Sequence, residues 1–130
     1  MPKNKFLLFS IFWFMLTVYG LFLYIPNGLS TPPFPQFDKF THCCLFFGQF
    51  WLLSKLYLIE QQRPPFKWLM IIAVIWAIAT EAIQGMFTLT RTADVFDAIA
   101  DILGALLALG LANYMMQLKQ KIIRQKVNEY

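Results

Sequence analysis

The sequence predicts an all-α integral membrane protein, a bundle of four transmembrane helices with both termini cytoplasmic. Three observations predict it. Hydrophobic residues make up 58% of the 130-residue chain and charged residues only 14%, with a mean hydropathy of +0.55. A water-soluble core of this size cannot hide so much apolar surface. Apolar residues also gather in four runs, 6–25, 40–59, 68–87 and 95–116. Each is about 20 residues long, and at about 1.5 Å per residue each crosses a hydrocarbon layer of about 30 Å. The third observation is charge placement. Lys3 and Lys5 precede the first run, Lys55, Arg63 and Lys67 flank the second connection, and Lys119, Lys121, Arg124 and Lys126 follow the fourth, so nine of the 11 basic residues fall on one side. The positive-inside rule puts that side in the cytoplasm. Short connections make residues 1–130 a single domain with a basic cytoplasmic tail, 117–130.

The first run starts like a signal peptide, with positive charge before an apolar body. Its apolar stretch is too long for such a leader and no small-x-small cleavage site follows, so it reads as a retained helix. It carries no ionisable group between Phe6 and Ile25, and Trp13, Tyr19 and Tyr24 suit lipid or interfacial contact. Pro26 to Gln36, PNGLSTPPFPQ, breaks the helix with four prolines and a glycine and forms an outer loop, whose Leu29 and Phe34 rest on the membrane or cover a polar site. The second helix opens with DKFTHCC, where Asp38, Lys39 and His42 share one face. Cys43 and Cys44 are adjacent and read as small buried side chains rather than a disulfide. IEQQRPPFK is a polar cytoplasmic turn without chemistry, in which Glu60 and Arg63 are spaced to pair.

The third helix is apolar through Ala79 and then presents Glu81 and Gln84 on one side of its outer end. Arg91 is the only charge in the outer connection, and Asp94, Asp97 and Asp101 form one stripe on the fourth helix. Asp94, at the helix start, has a plain structural reading as a cap on free N–H groups. That reading fails for Asp101, more than one turn inside. Ala100, Gly104, Ala108 and Ala112 recur every four residues. Such a ridge admits a close neighbour, either within the monomer or in a homodimer through Gly104 and Ala108.

Ionisable groups inside a bilayer span cost roughly 2.5–3.5 kcal/mol each on insertion scales, so they mark a task or a partner. Antiparallel packing of short-looped helices brings the three polar clusters to one level, in a pocket open to the outside. The candidates are His42, Glu81 and Asp97 for catalysis and Lys39, Gln84, Arg91, Asp94 and Asp101 for binding. The bland alternative is a buried salt-bridge network that fixes helix register.

The succession Lys39-x-x-His42, Glu81-x-x-Gln84, Arg91-x-x-Asp94-x-x-Asp97-x-x-x-Asp101-x-x-Gly104 resembles the VanZ-like family of small bacterial membrane proteins, over roughly Asp38 to Gly110. The family commonly has asparagine where this chain has Asp101, and the aspartate adds a charge. The resemblance implies a multi-pass protein of the bacterial cytoplasmic (inner) membrane, in a family associated with glycopeptide (teicoplanin) resistance. On that footing the pocket binds a polar or phosphorylated cell-envelope component, such as an envelope precursor or other lipid-linked ligand. Lys39 and Arg91 contact an anion, and His42, Glu81 and Asp97 orient or protonate it.

A second expectation is a hydrolase or transferase in which Asp94, Asp97 and Asp101, with Glu81 and His42, hold a divalent cation over a lipid-linked phosphate. The aspartate spacing matches no specific metal motif, and no cofactor is implied beyond that cation. A small transporter or partner subunit is a third, limited by the little room that four helices give for alternating access. Membrane lipids contact the spans and the basic tail. Nucleic acid is excluded as a partner, because the aromatics belong to the spans and not to a solvent-facing basic platform.

Overall fold

The computed structural model describes residues 2–24, 31–89 and 92–129, with side chains described from Asn4 onward. Four helices account for nearly all of it: α1 (Pro2–Val18), α2 (Phe37–Ile59), α3 (Phe66–Phe87) and α4 (Val95–Asn128). All four are long and apolar enough to cross a membrane, as in a multi-pass membrane protein. Arg91 and Leu29 lie outside the described residues.

The helix bounds depart from the expected ones where polar residues prolong a helix past its apolar run. α2 begins at Phe37 rather than residue 40, because Gln36 adopts a left-handed conformation with φ 63° and its carbonyl accepts the Phe40 N–H. α3 begins at Phe66, directly after the two prolines, whose missing N–H groups fit a helix start. The tail does not separate from the fourth span: α4 runs unbroken for 34 residues, about 51 Å at the usual rise. It contains no proline, and its good helix formers Gln, Lys and Arg continue it past the span. Arg63 in the second connection donates to Gln120 on this extension, 2.7 Å away.

α1 gives way at Val18 to a π-helical turn, Tyr19–Leu23, closed by a bond from the Tyr24 N–H to the Tyr19 carbonyl. The wider turn ends in an extended Tyr24. Trp13 faces inward, not to lipid: its indole N–H donates to the Leu45 carbonyl at 2.9 Å, and its ring lies against Gly48, where any Cβ would strike it. Gln49 adds a bond to Ser10 Oγ at 2.9 Å. Thus α1 packs antiparallel on α2.

The central seam joins α2 to α4, and these two run parallel, since Lys39 meets Asp94, His42 meets Asp101 and Cys43 meets Gly104. Gly104 makes the approach possible: a Cβ there would overlap the backbone of Cys43. Ala105, Ala108 and Ala112 continue the same buried face. The small-residue ridge is therefore occupied within the chain, and neither Gly104 nor Ala108 has surface to offer a second copy; a homodimer would need another face.

α3 flanks α4 antiparallel and turns Ala73, Ala77, Thr80, Glu81 and Gln84 inward, while Ile72, Ile75 and Ile78 face out. Outside apolar and inside partly polar is the arrangement a lipid solvent favours. Phe14 and Trp76, 5.2 Å apart, join α1 to α3. Both cysteines are free thiols, Cys43 half-buried and Cys44 exposed.

Candidate functional site

The parallel α2–α4 seam and the short α3–α4 connection bring the polar residues of three helices to one end of the bundle. His42, one turn into α2, is 1% exposed. Its Nδ1 lies 3.0 Å from Asp101 Oδ1 and 4.0 Å from Glu81 Oε1, and its Nε2 lies 3.9 Å from Asp97 Oδ2. The short contact is a hydrogen bond whose direction follows the ring's tautomer; with the proton on Nδ1 it donates to Asp101, and Nε2 keeps a lone pair. Asp101 is fully buried, and its second oxygen is 3.4 Å from Thr80 Oγ1, whose hydroxyl is nearer to the Ala77 carbonyl at 2.8 Å.

At the rim, Lys39 Nζ is 2.9 Å from Asp94 Oδ2 and 3.2 Å from Asp97 Oδ1. The first contact is a hydrogen bond; the second is an ion pair off the hydrogen-bond line, since Asp97 Oδ1 is buried without an aligned donor. Asp94 performs the capping role its position suggests, with Oδ1 accepting from the Phe96 N–H at 2.9 Å. Asp94 lies outside the spans, and Lys39, then the Phe96 N–H, hold its carboxyl below the ordinary carboxylate range. Its own backbone N–H donates to Glu81 Oε2 at 2.8 Å, which ties α3 to the start of α4. The other oxygen of Glu81 is buried without a hydrogen-bond partner, as is His42 Nε2.

Of the expected site residues, His42, Lys39, Glu81, Asp94, Asp97 and Asp101 meet. Gln84 has a different job: it is buried, and its Nε2 donates to the Leu21 carbonyl at 2.9 Å, joining α3 to the π-helical turn. Arg91 lies outside the described residues, and Lys39 is the cation that meets the cluster among them. Two participants carried no sequence signal. Thr80 is one threonine in an apolar run, and the Leu21 carbonyl is set by backbone geometry.

A cleft of about 730 Å³ lies beside the cluster, between the π-helical turn, residues 31–33 and the start of α2. Leu16, Leu21, Leu45 and Phe37 line it with Tyr19 and Tyr24, and Asp38 and His42 reach its wall. An apolar cleft that meets a few convergent polar groups is the usual form of a small-molecule site. Two sets of potential metal ligands share His42: Asp38, His42 and Asp97, and His42, Glu81 and Asp101, each with ligand atoms within 4.8 Å of one another. No family model, curated protein or solved structure matches the chain.

Proposed function

We propose that this chain is a VanZ-like protein of the bacterial cytoplasmic membrane, with both termini cytoplasmic, whose outward-facing cleft binds an envelope amphiphile with a polar or phosphorylated head. The observation that carries the reading is the cleft itself, apolar along its length and in contact with Asp38 and His42 at one side. An acyl or prenyl chain fits the leucine and aromatic wall, and a polar head fits the side where His42, held by Asp101, reaches the cleft with Asp38. The basic residues before α1, in the second connection and on the tail support the orientation. On this orientation the cleft opens on the side where envelope precursors are used.

The test is native mass spectrometry of the protein extracted gently from its own membrane, wild type beside Gly20→Phe. Gly20 lines the cleft and has no atom within 4 Å of an added Cβ, so a larger side chain is accommodated at the cleft wall. A bound amphiphile on the wild type that is missing from folded Gly20→Phe supports the reading. The same ligand on both proteins, or on neither, overturns it.

A further inference from the structure

The cluster contains more anionic than cationic groups, and Lys39 is already committed to two carboxylates. A phosphorylated head would meet Asp38 and Asp97 with little positive charge to receive it. The immediate surroundings of His42 resolve this. Its Nδ1 is taken by Asp101 at 3.0 Å, and Nε2 lies 3.9 Å from Asp97 Oδ2. With the ring proton on Nδ1, Nε2 presents a lone pair to that gap, and it is buried there without a hydrogen-bond partner. The distance is too long for a shared proton, which needs about 2.7–3.2 Å. It does suit two ligands of one ion: bonds of about 2.0–2.2 Å put ligand atoms about 3–4.2 Å apart.

We infer that His42 Nε2, Asp97 and Asp38 form a binding site for a divalent transition cation such as zinc, with Asp101 positioning the imidazole. A carboxylate on the far nitrogen of a ligating histidine is the arrangement that fixes its tautomer and raises its basicity. Asp97 divides its two oxygens, Oδ1 toward Lys39 and Oδ2 toward the cation. Asp38 is exposed and lines the cleft, so the cation is reached from there and keeps a coordination position open toward it. The mixed nitrogen and oxygen donors favour zinc over magnesium, which prefers oxygen alone. The alternative set through Nδ1 would require breaking the His42–Asp101 bond. The inference rests on the amphiphile reading in one respect: the cation supplies the charge that receives the phosphorylated head.

The experiment uses full-length protein purified without a histidine tag, stripped with a chelator and dialysed against zinc chloride, with metal counted by plasma mass spectrometry. One zinc per chain is expected, undisturbed by equal magnesium. Asp38→Asn, at an exposed side chain, and Asp97→Asn weaken zinc binding by about 10- to 100-fold or more, and Asp101→Asn by about 10- to 100-fold. No saturable zinc on the wild type, or zinc held by Asp38→Asn and Asp97→Asn as tightly as by the wild type, overturns the site. Farnesyl monophosphate binding, measured with and without zinc, separates the two claims. Zinc bound without any farnesyl monophosphate upholds the metal site and overturns the amphiphile reading; farnesyl monophosphate bound without zinc uptake does the reverse.

Discussion

Replacing Gly104 by alanine tests whether the seam between α2 and α4 holds the site together. The added methyl carbon would lie 3.0 Å from the Cys43 carbonyl carbon and overlap its oxygen. These are backbone atoms of a helix, so no rotamer change relieves the clash, and the two helices must separate. Restoring an ordinary carbon–oxygen contact of about 3.3–3.6 Å requires a shift of about 1 Å. His42 adjoins Cys43 and Asp101 is one turn from Gly104, so their 3.0 Å contact would stretch by a similar amount and cease to be a hydrogen bond. Overpacking costs about 1–3 kcal/mol and loss of a bond to a charged group about 1.5–3 kcal/mol, against a helix-propensity gain of about 1 kcal/mol. The expected net loss is about 1.5–5 kcal/mol. Gly110→Ala is the matched control on the same helix: nothing lies within 4 Å of its added carbon, so only the propensity gain applies. Unfolding in mixed micelles, followed by circular dichroism, measures both. Changes of opposite sign support the argument; equal stabilities for the two variants would refute it.

Trp13→Phe removes the indole donor to the Leu45 carbonyl and should cost about 0.5–1.5 kcal/mol in the same unfolding assay. Gln84→Leu leaves the Leu21 carbonyl without its buried donor, and a loss of about 1–3 kcal/mol is expected; an unchanged stability would show that the π-helical turn does not depend on α3. The carboxyl of Asp94 is depressed chiefly by Lys39, so its contribution is complete above the ordinary carboxylate value and is lost as pH falls through the lowered one. Thermal midpoints compared at pH 7 and in acid, below about pH 4, should therefore fall further for wild type than for Asp94→Asn. Equal falls would count against the Lys39–Asp94 pair as a contributor.

The spans were legible because twenty apolar residues in a row have few other uses, and their register followed from the same periodicity that turns Ala73, Ala77, Thr80 and Glu81 to one side of α3. The polar end was legible from cost: Asp101 inside an apolar run needs a partner, and His42 is that partner at 3.0 Å. The partners along the main seam were not. Chain order suggests that neighbouring helices pack antiparallel, whereas the closest approach joins the parallel pair α2 and α4, set by the absence of a side chain at Gly104. Trp13 was similarly ambiguous, since an indole suits an interface as well as a glycine on the next helix. Its position opposite Gly48 decides it, and that depends on a register between α1 and α2 which the intervening loop does not encode. Gln84 shared a face with Glu81, but the carbonyl it reaches lies in the π-helical turn that follows α1.

Photo-crosslinking tests the central claim most directly. A farnesyl monophosphate analogue carrying a diazirine on its prenyl chain is added to the protein in bilayers containing zinc, irradiated, and the labelled peptides are mapped. The account predicts label on Leu16–Tyr24 and Phe37–Leu45, the two walls of the cleft, removed by excess unlabelled farnesyl monophosphate and reduced in Gly20→Phe. Label confined to outward-facing side chains such as Ile75 and Leu107, and insensitive to competitor, would contradict it.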